Sequence, residues 1–215
     1  MYLRVKKITD FKINGIRNNP IWDSIEWNPL IPIREDRVGY NSRVKVAYSD
    51  SGIYFLADFE DKRLTCTKTA DFEDLYNEDV FEIFLWPDES QNCYFEYELS
   101  PLDFELPLLV INNQGNFHGW LPWHYEGARK CGHSTSVRGG LKYPMASVDG
   151  WNAEVFIPFA LFQGFGNSLP VSGTIWRANM YRIDYDLDET VRWAWCIDTG
   201  IRFHDISNFG TFVFE

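Results

Sequence analysis

At 215 residues the chain is long enough for one sizeable core, and 45% hydrophobic with 24% charged residues is a globular balance that excludes disorder. Lys plus Arg total 20 against 31 Asp plus Glu, a formal charge of −11 that argues against nucleic acid and anionic membrane surfaces as partners, since both require clustered cations. Aromatic residues are abundant, with 9 Trp, 11 Tyr and 17 Phe. Buried Trp and Tyr need partners for their N–H and O–H groups, so part of this set is expected on a working surface.

Along the chain, short runs of period-two alternation are bounded by Gly, Pro, Asn and Asp. Residues 2–8 form the first and read as a strand rather than a signal peptide. Further strands are expected at 43–49, 53–60, 80–86, 93–100, 105–112, 134–138, 151–157, 175–184, 191–197 and 209–214. Asp50-Ser51-Gly52 reads as a hairpin turn, and residues 158–165 as one short helix opened by Pro158. No apolar run is long enough for a transmembrane helix. Eleven strands in a chain without long helices predict a single antiparallel β-sandwich domain over residues 1–215, of the immunoglobulin-like or jelly-roll type. Cys66, Cys93, Cys131 and Cys196 contain no CxxC pair, which argues against structural zinc and for free thiols. Thiols of this kind fit a reducing compartment, so a cytoplasmic location is expected, with a processed secreted or periplasmic form as the alternative.

Alternation assigns faces. Phe81, Ile83 and Leu85 should look inward, as should Phe95, Tyr97 and Leu99, and Trp176, Ala178 and Met180. The opposite faces carry Glu82, Phe84 and Trp86, then Tyr94, Glu96 and Glu98, then Arg177, Asn179 and Tyr181. A solvated face would be rich in Lys, Thr and Ser. Carboxylates, Arg and Asn interleaved with rings instead suit a sugar, whose hydroxyls take bidentate polar groups and whose C–H faces take rings.

The stretches Tyr76-Asn-Glu-Asp-Val-Phe-Glu-Ile-Phe-Leu and Tyr94-Phe-Glu-Tyr-Glu-Leu-Ser-Pro resemble carbohydrate-binding module family 9. Further on, Trp151-Asn-Ala-Glu-Val-Phe-Ile-Pro, Trp176-Arg-Ala-Asn-Met-Tyr-Arg, Phe203-His-Asp and the final Phe209-Gly-Thr-Phe-Val-Phe do so as well, as does the early Asn19-Pro-Ile-Trp. The resemblance implies a β-sandwich that binds glucans, xylans or smaller sugars without cleaving them, in association with polysaccharide degradation. It implies a sugar held between two rings. Tyr76 matches the first ring and Trp193 or Trp195 the second, with Glu82 as hydroxyl acceptor. Two features depart from the family pattern. The first ring is Tyr rather than Trp, and the strand at 94–100 has no Arg, so Arg177 is expected to supply that charge from a neighbouring strand.

Each residue also has a plainer reading. Glu82 could pair with Arg177, and Arg177 and Asn179 could merely stitch two strands together. Trp120 and Trp123, in a loop rich in amides and rings, either bind or cap the core. Glu96 and Glu98, about 7 Å apart on one strand face, approach the spacing of an inverting glycosidase pair, but neighbours on one strand do not flank a bond from both sides. A glycoside hydrolase, or an accessory subunit of one, is the alternative function. Haem binding, known from related sandwiches, is disfavoured because Met180 points to the core side. No cofactor is required. Structural calcium, which the resemblance allows, would fall on Asp184, Asp186 and Asp188, at i, i+2 and i+4. Glu189 and Trp195 occupy the positions where an EF-hand needs Gly and Glu. The acidic run 71–79 is a second acidic cluster, and His118, His124, His133 and His204 lack metal-ligand spacing.

Overall fold

The computed structural model describes all residues except Asp36, 187–189 and 198–201. Among the described residues there are fourteen strands: β1 (Tyr2–Lys7), β2 (Asn28–Pro29), β3 (Ile31–Pro32), β4 (Ser42–Tyr48), β5 (Gly52–Glu60), β6 (Val80–Trp86), β7 (Cys93–Leu99), β8 (Glu105–Asn113), β9 (Asn116–Pro122), β10 (Gly132–Arg138), β11 (Gly150–Pro158), β12 (Ile175–Asp184), β13 (Val191–Ala194) and β14 (Gly210–Phe214). All eleven strands expected from alternation are present, and the turn at Asp50-Ser51 joins β4 to β5. The strands not anticipated are β2 and β3, two-residue pairings around prolines, and β9. On β9 almost every side chain is exposed, so no burial period marks it. The expected short helix is a 3-10 turn at Phe159–Phe162.

Eleven of these strands form one continuous path, β10-β11-β5-β4-β1-β14-β12-β6-β7-β8-β9, with β13 paired to β12, β3 to β13 and β2 to β4 beside it. The expectation of a wholly antiparallel sheet is corrected. β1 runs parallel to β4 on one side and to β14 on the other, making the sheet mixed. Antiparallel pairing is favoured where a short turn joins two strands. No short turn joins the first strand to the last, or to β4, so nothing forces reversal there.

The sheet curls so that β5 and β11 face β6, β7, β12 and β14 across one core. Phe59 meets Phe81 at 5.4 Å between ring centroids and Phe55 meets Phe212 at 6.4 Å. The expected inward residues Phe81, Ile83, Leu85, Phe95, Tyr97, Leu99, Trp176, Ala178 and Met180 all lie in that core. Each large apolar side chain buried there stabilises the fold by about 1.5–3 kcal/mol. The four cysteines are free thiols.

Candidate functional site

On β6, β7 and β12 the inward residues are those that alternation predicts, yet the outer face is not solvated. Phe84, Trp86, Tyr94, Val110, Tyr181, Ala194 and Phe209 make a second apolar layer towards one end. Leu75, Val80, Leu106, Leu108 and Ile183 make a third towards the other. Between them three carboxylates converge. Glu82 on β6 lies opposite Glu98 on β7 in register, and Glu96 lies two residues away on the same face. Like charges directly opposite one another destabilise a sheet, so this placement needs a reason beyond strand pairing.

The three carboxylates form the floor of a cleft of about 900 Å³. Tyr76, Phe117, Trp120, Tyr185 and Phe203 supply rings to its walls, and Arg192, Arg202, His204 and Asp205 also line it. Glu82, Glu96 and Glu98 are each at most 3% exposed, and their oxygens approach within 4.8 Å of one another. Glu96 Oε2 and both oxygens of Glu98 have no hydrogen-bond partner. Burial pushes all three carboxyls above the usual range, Glu96 to about 8. At Glu82 the neighbouring Glu96 adds to the effect of burial and Arg192 opposes it. At Glu98 the other two glutamates add to it, while the Tyr76 backbone N–H opposes it without the geometry of a full hydrogen bond.

Two local structures hold the walls. Asn113 pairs with Asn116 across a two-residue turn in which Gln114 and Gly115 both have positive φ, 52° and 89°. Such a turn matches the strand twist and favours Gly. It carries Phe117 and Trp120 over the cleft. Against this hairpin, the loop 202–209 is tied to the sheet. Asn112 Nδ2 donates to the His204 carbonyl at 3.1 Å, the Tyr181 hydroxyl to the Phe203 carbonyl at 3.0 Å, and Asn179 Nδ2 to the Asn208 carbonyl at 3.1 Å. Phe203 stacks on Tyr181 at 4.0 Å and Phe117 on His204 at 4.3 Å. Burial lowers His204 to about 4, so it is neutral at neutral pH and its 3.9 Å approach to Glu96 is no ion pair. Its Nδ1 instead shares a 2.7 Å hydrogen bond with the Tyr94 hydroxyl.

Tyr76, Glu82, Glu96 and Trp120 therefore meet in one cleft. Trp193 and Trp195 do not join them. Both are at most 2% exposed and lie in the main core. The expectation that either faces Tyr76 across the cleft is corrected. Trp193 is in register with Arg182, so alternation aims it away from the face of Tyr181 and Glu82. Trp123 also lies off the cleft, its Nε1 donating to the Leu161 carbonyl at 3.4 Å while it packs on the core. A spacing of three puts Trp120 and Trp123 on opposite sides of a strand.

Arg177 shares the face of Glu82 but not its neighbourhood. It lies four residues before Tyr181, the register partner of Glu82, and so roughly 13 Å along the strand. Its guanidinium donates to the Gly210 and Phe209 carbonyls and reaches Glu89. The expected pairing of Glu82 with Arg177 is corrected: burial raises the Glu82 carboxyl, and the cation that opposes this is Arg192. Asn179 is fully buried, its amide donating to the Tyr181 hydroxyl and to the Cys196 and Asn208 carbonyls while its oxygen accepts from Met180 and Cys196 N–H groups. It has no capacity left for a ligand.

Asp184 and Asp186 converge with Asp61 in a second acidic cluster. Asp188 lies outside the described residues. The Arg182 guanidinium already enters this cluster, 2.7 Å from Asp184 and 3.3 Å from Asp61. The cleft residues not anticipated as ligands include Glu98, Phe117, Tyr185, Arg192, Arg202, Phe203, His204 and Asp205. The face of Glu98 was legible from alternation, but the loop positions carry no periodic signal.

A sequence model described as carbohydrate family 9 binding domain-like matches residues 13–215. No curated protein matches the chain. Solved structures resemble it closely in fold. A candidate carbohydrate-binding protein from Bacteroides uniformis superposes with a TM-score of 0.76 at 17% identity, over 100% of this chain and 99% of that one. A family 9 carbohydrate-binding module from Caldicellulosiruptor kristjanssonii in complex with cellotriose gives 0.70 at 18% identity, over 100% and 94%. A family 9 module from the same organism in complex with glucose gives 0.68 at 18% identity, over 99% and 96%. Since the family match spans nearly the whole chain, cleft included, the protein belongs to the carbohydrate family 9 binding domain-like family.

Proposed function

We propose that the cleft binds an oligo- or polysaccharide without cleaving it. The observation that carries this reading is the convergence of exposed rings with carboxylate oxygens that have no protein partner. Trp120 is 37% exposed and lines the same cavity as Tyr76, Phe117 and Glu82. Rings take the C–H faces of a sugar, each contributing roughly 1–2 kcal/mol, and carboxyls take its hydroxyls. The cellotriose and glucose complexes of the Caldicellulosiruptor modules support the ligand class. The reading carries with it a role in polysaccharide degradation. Calorimetric titration with cello-oligosaccharides tests it. Trp120→Ala and Tyr76→Ala are each expected to weaken binding about five- to thirtyfold, the equivalent of roughly 1–2 kcal/mol. Binding untouched by both would place the ligand elsewhere.

One observation favours hydrolysis as a second reading: Glu96, held near 8, is suited to donate a proton at neutral pH. The geometry opposes it. The three carboxylates lie side by side on two paired strands instead of flanking a bond from two sides. Release of reducing ends from a bound oligosaccharide, lost in Glu82→Gln with the fold intact, would decide for the enzyme. A structural calcium at Asp184 and Asp186, with Asp61 as third ligand, is supported by their convergence and by Asp61 Oδ2, which accepts no hydrogen bond although Arg182 stands 3.3 Å away. A calcium-dependent rise in melting temperature tests it.

A further inference from the structure

We infer that the cleft floor is a second, independent metal site, in which Glu82, Glu96 and Glu98 hold a hard divalent cation of the calcium type. Saccharide hydroxyls complete its coordination, the latter part resting on the carbohydrate reading. The donor set is all oxygen, the choice of calcium, magnesium or manganese over zinc or copper. Ligand oxygens lie within 4.8 Å of one another, the span available around an ion with bonds of about 2.3–2.6 Å. Glu96 Oε2 and both Glu98 oxygens are buried, turned to the cleft and unpartnered. The neighbouring His204 nitrogen is committed to Tyr94.

Charge decides between a divalent ion and the ammonium of an amino sugar. Three carboxylates face Arg192, an exposed rim residue that opposes the shift of Glu82. A monovalent ammonium would offset one of the three charges. A divalent cation offsets two, displacing the protons that burial otherwise keeps on the carboxyls, and leaves the third to the rim guanidiniums of Arg192 and Arg202. The aspartate cluster differs, because Arg182 already stands among its carboxylates. On the cleft floor no guanidinium enters. The open side of the three glutamates leaves coordination positions for a pair of sugar hydroxyls.

The test uses the full chain, stripped with EDTA and dialysed, and titrated calorimetrically with calcium chloride. Wild type is expected to take up an ion that Glu98→Gln weakens by about tenfold or more and that Glu96→Gln combined with Glu98→Gln abolishes. Circular dichroism checks each fold, and Glu98→Gln alone carries the test if the double variant does not fold. Identical ion number and affinity in wild type and variants overturns the site. Cellotriose is then titrated into calcium-loaded and stripped wild type, with at least about tenfold tighter binding expected when loaded. Equal binding overturns the bridging role and leaves the carbohydrate reading intact. Ion uptake that Glu98→Gln weakens, without any saccharide binding, sustains the metal site and overturns the carbohydrate reading. Stripped protein that takes no ion and prefers glucosamine to glucose assigns the carboxylates to an ammonium and overturns the inference.

Discussion

Glu98 concentrates the conflict between folding and function. It is 1% exposed, faces Glu82 across the strand pair, and finds no donor for either oxygen. A carboxyl whose folded pKa is raised takes up protons on folding, so its favourable contribution is present at low pH and is lost as pH rises. For Glu98 the window opens at the ordinary 4.5 and extends well above it, and for its neighbour Glu96 it closes near 8. In EDTA the protein should melt higher at pH 5 than at pH 8. Glu98→Gln keeps the shape and removes a buried charge, and is expected to stabilise by about 1–3 kcal/mol at pH 8, or roughly 3–10 °C. Near pH 4.5 the gain should vanish. A gain of equal size at both pH values in thermal scans would show that charge is not its origin.

Among the elements, β1 has the largest structural task for its length. Its six residues separate β4 from β14, and pair with both in parallel. Leu3 and Val5 are buried between the two arms of the sheet. Removal of residues 1–7 would expose the edges of β4 and β14, both of which have buried faces, and an unpaired apolar edge templates association. The truncated chain is expected to elute as aggregates in size-exclusion chromatography with light scattering, whereas a monodisperse, cooperatively melting product would contradict this role. The β8–β9 hairpin shows the limit of pattern reading in the same way. Its turn chemistry at Gln114-Gly115 is legible, but β9 buries no continuous face, and the ladder to β8 rather than a period defines it.

Across the whole molecule the two arms are joined by a buried charge as well as by rings. Arg182 is 1% exposed. It donates to Ser42 on β4 at 2.8 Å and to Asp184 at 2.7 Å, and lies 3.3 Å from Asp61 beyond β5. Its guanidinium also stands 4.8 Å from the Trp193 ring and 5.1 Å from Phe59. Trp193, expected as a sugar platform, is thus a wall of this inter-arm tie. Desolvation raises Asp61 to about 7 even with Arg182 beside it. Arg182→Met leaves these aspartates uncompensated and is expected to cost about 3–5 kcal/mol at neutral pH, measured by urea unfolding. The loss should shrink towards pH 5 as Asp61 protonates. A variant as stable as wild type at pH 7 would show that the guanidinium is dispensable.

The sequence by itself determined every long strand with a buried face and which side of β6, β7 and β12 each residue takes. Period-two alternation is a local consequence of the pleat, and one buried face is enough to fix it. That is why Glu82, Glu96, Glu98, Arg177 and Asn179 could be placed on one face. The position of a residue along a strand relative to a partner strand is not local. Only tertiary register separated Arg177 from Glu82, filled the hydrogen-bonding capacity of Asn179, and turned Trp193 and Trp195 into the core. The parallel pairing of β1 with β14 joins segments more than 200 residues apart, with no turn to announce it. The charge of the cleft also arose only on folding. Three glutamates that would ionise near 4.5 in water come together buried in a cleft floor; burial raises all three, and repulsion adds to it at Glu82 and Glu98.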